Sequence, residues 1–339
     1  MMKKLLSFAT LCLLVPALAL GQTYVQTTMS TLNRFIYNPA AAGYNGGFNA
    51  TSCFRSQWTG IDGHPTLFTL AAHAPVPKLR GGVGGYMIYD KLGPLSTLGA
   101  NVSYAYKFKL GGGEMSPTLS VGAQLGFLQK ALNAEWKYNA SIGIDPLVPL
   151  GNYSQSVMVP NLGAGAYLSV PGEDPGDPGN PVEKAYVSVS AMDLLEPSIS
   201  NLAASPSSSD ARVPRSFYLM GGYRFFFNEK MSLQPNLIFK TDGISAQMDI
   251  NAMMDIKPMF FGVGYRGIGA GRHSDAMYAL VGANINTNFT MGYSYDFTVS
   301  ALNAGRMVHS HELVVSYTIP KVQWYSRVIK DTQGFDYGK

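Results

Sequence analysis

Residues 97–108 read TLGANVSYAYKF. Successive side chains of a strand point to opposite faces. Leu98, Ala100, Val102, Tyr104, Tyr106 and Phe108 therefore share one face, and Thr97, Gly99, Asn101, Ser103, Ala105 and Lys107 the other. One face suits hydrocarbon and the other water. The alternation recurs along the chain. In 246–256, Ala246, Met248, Ile250, Ala252, Met254 and Ile256 oppose Gln247, Asp249, Asn251 and Asp255, with Met253 the exception. In 289–297, Phe289, Met291, Tyr293, Tyr295 and Phe297 oppose Thr290, Gly292, Ser294 and Asp296. Near the end, Leu313, Val315, Tyr317 and Ile319 oppose Glu312, Ser316 and Thr318. Segments of about ten residues with this pattern are the mark of tilted strands crossing a bilayer.

Extending the pattern predicts about fourteen strands (range about 12–16), an even count being usual for bacterial barrels. They fall near 48–58, 66–74, 80–90, 95–109, 115–128, 160–170, 184–192, 215–227, 230–241, 245–256, 258–268, 275–286, 288–297 and 309–319. The fold class is all-β, an antiparallel transmembrane β-barrel of the bacterial outer membrane. A soluble β-sandwich also alternates, but its strands are usually shorter and its polar face carries more Lys and Glu. Here the polar face is mostly Gly, Ser, Thr and Asn, with scattered charges such as Arg224, Lys240 and Arg266.

Composition points the same way. Charged residues are 14% of the 339-residue chain, against roughly 25% in soluble proteins. Hydrophobic residues are 46%, yet beyond residue 21 no uncharged apolar run approaches the roughly 18 residues of a spanning helix. The net charge of +4, with no dense Lys/Arg run, argues against nucleic acid. Residues 1–21 have the build of a secretory signal peptide: Lys3 and Lys4, an apolar stretch from Leu5 to Leu20, and small Ala19 and Gly21 before a cut at Gln22. Cys12 lies inside that signal, leaving Cys53 without a disulfide partner.

The expected organisation is a signal peptide (1–21), a leader or plug (22–47), a barrel (48–320) and a periplasmic tail (321–339). In the leader, Met29, Leu32, Phe35 and Ile36 sit at helical spacing, which fits a short amphipathic segment plugging the inner mouth; an unordered leader is the alternative. With both termini periplasmic, the connections at 228–229, 257 and 287 are short inner turns, and 129–159, 193–214 and 298–308 are long outer loops. Two connections break the rule: PGEDPGDPGNP (171–181) is a long inner loop, and 242–244 a short outer turn. A further strand around 133–140 would shift the assignments after it.

Motifs for chemistry are weak. GVGYRG (262–267) matches G-x-G-x-x-G in form, but its glycines alternate within a strand rather than opening a helix. His309 and His311 share one strand face without a clear third metal ligand and fit a polar pair at the rim. No G-x-S-x-G elbow is present. Asp249, Asp255, Asp296 and Glu312 are lumen carboxylates that line a polar pore or pair with Arg224, Lys240 and Arg266. No cofactor and no metal are expected.

Two stretches are more specific. One is YNPAAAG (37–43) followed by RSQWTGIDGHPTLFTLAAHAPV (55–76); the other is GYSYDFTVSALNAGRMVHSHELVVSYTIP (292–320). Together they resemble the PorP/SprF family of type IX secretion membrane proteins. The matching residues are Asn38, Pro39, Ala40 and Gly43; then Arg55, Gln57, Trp58, Gly60, Gly63 and Pro65; then Tyr295, Asp296, Ser300, Leu302, His311, Glu312, Ser316 and Tyr317. The resemblance implies a non-enzymatic outer-membrane part of the secretion and gliding apparatus, one that helps surface proteins reach or stay on the cell exterior. The implied partners are outer-membrane lipid, a periplasmic peptidoglycan-binding protein, and secretion-system components or a surface adhesin. A porin or hydrophobic-solute transporter is the other reading of the same barrel. Physically, Asn-Pro-Ala makes a rigid turn that fixes where the leader enters. Trp58 falls near a strand end, where an indole favours the lipid–water interface. Arg55 and Glu312 are candidates to pair across the first and last strands.

Overall fold

The structure, a computed structural model, describes residues 25–113, 115–136, 151–202, 211–267, 274–299 and 308–319. The strands are β1 (Phe48–Thr59), β2 (Thr66–Val76), β3 (Gly81–Leu92), β4 (Leu95–Lys109), β5 (Thr118–Trp136), β6 (Gly151–Asp174), β7 (Asp177–Met192), β8 (Ser216–Tyr223), β9 (Phe225–Asn228), β10 (Met231–Thr241), β11 (Ala246–Ile256), β12 (Met259–Gly267), β13 (Ser274–Asn284), β14 (Phe289–Thr298) and β15 (His309–Ile319). Both β8 and β9 pair with β10 and are separated only by Arg224, so they form one interrupted strand and the wall has fourteen crossings. Each strand pairs antiparallel with its chain neighbours, and β15 pairs with β1 to close the ring. Closure removes the sheet edge, whose unpaired amides and carbonyls hydrocarbon would not tolerate.

The alternation becomes geometry. Along β4, Val102 and Tyr104 face outward while Asn101, Ser103 and Ala105 are buried inside. Outward residues such as Val102, Leu125 and Val263 are 59–64% exposed, and similar residues recur on neighbouring strands all round the wall. An apolar surface of that extent needs lipid as its solvent. Among the described residues no helix is long and apolar enough to cross a membrane; strands do the crossing.

Two sequence expectations need correction. Residues 129–136 and 151–159 are not outer loop: β5 and β6 run on through them, paired as far as Trp136 and Gly151. At 19 and 24 residues these strands exceed the roughly ten that a bilayer needs. Their ends, with Asn133, Asn152, Ser154 and Ser156 exposed, stand beyond the membrane. Residues 133–136 belong to β5 rather than to an extra strand, and 137–150 lie outside the described residues. The stretch 171–181 is likewise two strand ends, joined only at Pro175–Gly176. The inner connection is therefore short, and the rule of short inner turns holds there. By that rule the Phe48 end of β1 is the inner, periplasmic rim. The loop 193–214 contains a 3-10 turn at Ser200–Leu202 and a bridge between Ser198 and Arg212. The signal segment and the tail lie outside the described residues.

Residues 25–47 occupy the lumen rather than only the inner mouth. They form three 3-10 turns, Ser30–Leu32, Arg34–Ile36 and Pro39–Ala41, instead of one helix. Two apolar clusters tie them to the wall. Phe35, Ile36, Tyr37 and Ala40 pack on Ala71, Tyr86, Tyr167, Tyr186, Tyr218 and Met220. Met29 and Leu32 pack with Cys53, Met253, Phe260, Leu280 and Val314. Met253, the apolar residue on a polar strand face, is explained here: its sulfur accepts from Thr31 Oγ1 at 3.0 Å.

Candidate functional site

The leader is held at two levels. In the outer half of the barrel, Glu312 Oε2 and Oε1 accept the backbone N–H groups of Thr28 and Met29 at 2.6 and 2.8 Å. The Thr28 hydroxyl donates to both oxygens of Asp296, at 3.0 and 3.1 Å. It accepts from Arg55 Nη1 at 2.7 Å and Arg266 Nη2 at 2.9 Å. Both guanidinium groups also reach Asp296 Oδ2, at 2.7 and 2.8 Å. Arg266 Nε bonds Asp249 at 3.0 Å, and Tyr278 donates to the same carboxylate. Lys240, fully buried, donates to the carbonyl of Val25 at 3.1 Å. Three cations (Arg55, Arg266, Lys240) thus stand among three carboxylates (Asp249, Asp296, Glu312). Buried charge is tolerated when it is paired and hydrogen-bonded, and the leader completes that pairing.

At the inner rim the chemistry is different. Arg34 pairs with Glu183 and donates to Tyr167 Oη at 2.7 Å. Its guanidinium lies 3.7 Å from the Tyr186 ring centroid, and Tyr167 and Tyr186 are stacked 5.7 Å apart. Tyr167 and Ser169 both donate to Glu183 Oε2, at 2.7 and 3.0 Å.

The Asn-Pro-Ala turn follows the inner anchor in the chain and meets the wall further from the inner rim. Asn38 caps it, Oδ1 accepting from Ala40 N–H at 2.8 Å, with Pro39 at the first position of the turn. Asn38 Nδ2 donates to Ser188 Oγ at 2.7 Å and to the carbonyls of Ala166 and Val189 at 2.9 and 3.0 Å. The wall permits this approach because it is bare there: a Cβ on Gly165 would sit 2.1 Å from Asn38 Oδ1. Gly43 turns the chain out of the lumen with φ +66°, and a Cβ on it would meet Pro75 N at 2.7 Å. Its N–H donates to His73 Nδ1 at 3.1 Å, and its carbonyl accepts from Lys107.

The remaining motif residues divide into two groups. Gln57, Trp58, Gly60 and Pro65 build the outer β1–β2 turn. The Gln57 N–H donates to the Pro65 carbonyl at 2.9 Å, and Gly60 and Gly63 have positive φ. Trp58 sits where the β1–β15 register shifts, with φ +56° and its N–H donating to Ser310 Oγ at 3.1 Å. Tyr295 and His311 face outward. His309 and His311 share the outward face at the outer end of β15: each ring lies 5.1 Å from that of Tyr295, and Tyr293 Oη is 2.7 Å from His311 Nδ1. Among the described residues no group of three or more His, Cys, Asp or Glu is placed to hold a metal. Ser300 and Leu302 lie outside the described residues.

The two sequence stretches therefore meet in space. Arg55 of β1 stands directly opposite Glu312 of β15 in the closing register, with 3.3 Å between Nη1 and Oε2. A model of the family described as type IX secretion system membrane protein PorP/SprF matches residues 19–317. The chain belongs to the PorP/SprF family.

This PorP/SprF chain is thus an outer-membrane β-barrel and a membrane component of type IX secretion, a family whose membership implies other secretion-system components as partners. No curated protein matches it. Among solved structures it is similar to Omp33 of Acinetobacter baumannii (7% identity, TM-score 0.43, covering 80% of this chain and 98% of that one). It is also similar to a deletion mutant of the TodX monoaromatic hydrocarbon channel (13% identity, TM-score 0.44, 87% and 95%) and to the KdgM porin (10%, 0.37, 80% and 99%). At these scores the likenesses carry no bearing on function.

Sequence reading missed part of the site. Asp249, Arg266 and Lys240 were recognisable as lumen charges, but nothing marked Thr28 as the residue that joins Arg55, Arg266 and Asp296. Arg34 and Glu183 gave no signal, since Arg34 precedes the first strand and Glu183 stands just before the 184–192 segment, where no alternation assigns a face.

Proposed function

We propose that this PorP/SprF chain is a plugged, non-conducting and non-enzymatic barrel that serves type IX secretion and gliding as a membrane anchor. It supports the export or surface attachment of secreted proteins and contacts a periplasmic peptidoglycan-binding protein. One observation carries this reading: the lumen is filled by the chain's own leader, pinned by charged side chains at two levels. A porin needs an open polar channel. Here the charges of the outer lock are paired with each other and with the leader. Asp249, Asp296 and Glu312 are each engaged by an arginine, and Asp255 lies 3.9 Å from Arg224. A barrel that passes no solute is suited to holding partners, with periplasmic turns on one side and the long β5–β6 hairpin on the other.

The test is recovery of the tagged full-length protein from native outer membranes after mild crosslinking. A peptidoglycan-binding periplasmic protein, secretion-ring components or a surface adhesin should come with it. Recovery of the barrel alone, together with an open conducting pore, would replace this reading with the transporter.

A further inference from the structure

Between the plug and one side of the wall lies a cavity of 170 Å³, far larger than the about 10–15 Å³ one water needs. Val25 and Ile36 of the leader form one side of it, and the lumen faces of β3 to β8 the other. Leu92 and Leu95 flank the outer β3–β4 turn, and Val213 and Pro214 come from the outer loop before β8, so the cavity belongs to the outer half. None of the charged side chains of the cluster described above lines it.

Its charge is unbalanced. Asp90 and Asp193 line it against a single ammonium, Lys130, and neither carboxylate is in ion-pair contact with a described cation. Two amide oxygens of its lining residues, Asn101 Oδ1 and Asn161 Oδ1, are buried without a hydrogen-bond partner; Asn101 and Asn161 are 5% and 6% exposed. Unmet acceptors in a low-dielectric setting add negative potential. Burial raises the Asp193 carboxyl to about 6, with Lys130 opposing, as expected where positive charge is short. Ile88, Leu92, Leu95, Leu128 and Met192 supply an aliphatic part of the wall, beside Thr97, Gln124, Ser216 and the phenols Tyr86 and Tyr218.

We infer that this cavity is a binding site for an aliphatic ammonium group, its methylenes against the leucine wall and its charge between Asp90 and Asp193. A free alkyl amine and a lysine side chain on an external peptide present the same chemistry. The site does not depend on the secretion role proposed above, and its failure would leave that role untouched.

The test is calorimetric titration of the full-length protein in detergent micelles with 1,5-diaminopentane, with the peptide acetyl-Gly-Lys-Gly-amide, and with glutarate as an anionic control. Binding of the diamine alone identifies a free amine as the source; binding of the peptide extends it to a basic side chain. Asp90→Asn with Asp193→Asn should weaken binding about 10-fold or more, whereas Lys130→Gln should strengthen it by removing the competing charge. The charged and titratable groups facing the site are Asp90 from β3, Lys130 from β5 and Asp193 after β7, with the phenols Tyr86 and Tyr218. Wild-type affinity for the diamine should therefore rise between about pH 5 and about pH 7 as the Asp193 carboxyl, held near 6, ionises, a readout that needs no variant to fold. Absence of amine binding, equal binding of glutarate, a flat pH profile, or unchanged binding by the folded double variant would each overturn the inference.

Discussion

The two anchors of the leader hold the same segment by different physics. The outer one is closed to bulk solvent: Arg55, Arg266, Asp249, Asp296 and Glu312 have side chains at most 2% exposed. Every guanidinium there meets a carboxylate, and the Thr28 hydroxyl joins three of the charged groups. The inner anchor is wetter, Arg34 and Glu183 being 7% and 17% exposed, and much of its hold is aromatic. The comparison teaches where the structure tolerates loss. Deep in the lumen a missing partner leaves a bare buried charge, while at the rim water can replace it.

The largest effect should come from Glu312→Lys. It brings a cation to Arg55 and strips the acceptors from Thr28 and Met29 N–H. A loss of about 3–5 kcal/mol is expected in urea unfolding from lipid vesicles. A change under about 1 kcal/mol would place the hold elsewhere. Arg34→Met should cost less, about 1.5–3 kcal/mol. Pairing it with Glu183→Met should recover part of that loss, because the second change removes the stranded carboxylate. If the double variant is as weak as the sum of the two single ones, the inner anchor is no coupled pair. Gly165→Ala tests the close approach between the levels: its Cβ would displace Asn38, at about 1–2 kcal/mol. Smallest is Arg215→Ala. Its partner Glu196 lies in the same outer loop at 2.9 Å, both are more than a third exposed, and a loss below about 0.5 kcal/mol is expected.

The wall was legible in the sequence and the plug only in part, for physical reasons. A strand between lipid and water must alternate, so 95–109, 246–256 and 309–319 could be read from residue types alone. Where β5 and β6 leave the bilayer, both faces meet water and the alternation fades. Asn152, Ser154, Gln155 and Ser156 look like loop although they are paired strand. The prolines and glycines of 171–181 gave the same false impression; Pro171 and Pro181 sit beside register irregularities in the β6–β7 ladder. In the leader the apolar spacing of Met29, Leu32, Phe35 and Ile36 pointed to a plug, but Asn33, at φ −140° and ψ 63°, breaks the run into separate 3-10 turns. The contacts that fix it span as many as 284 residues of sequence, and only the register of the closed ring brings them together. Arg55 and Glu312 were the exception, because first and last strands of a closed barrel must be neighbours.

Electrical recording from the purified full-length protein in planar lipid bilayers tests the central claim most directly. A barrel whose leader is locked across the lumen should insert and show about zero ohmic conductance. Glu312→Lys, with the outer lock broken, should conduct. Steady, porin-like conductance from the unmodified protein would contradict the account.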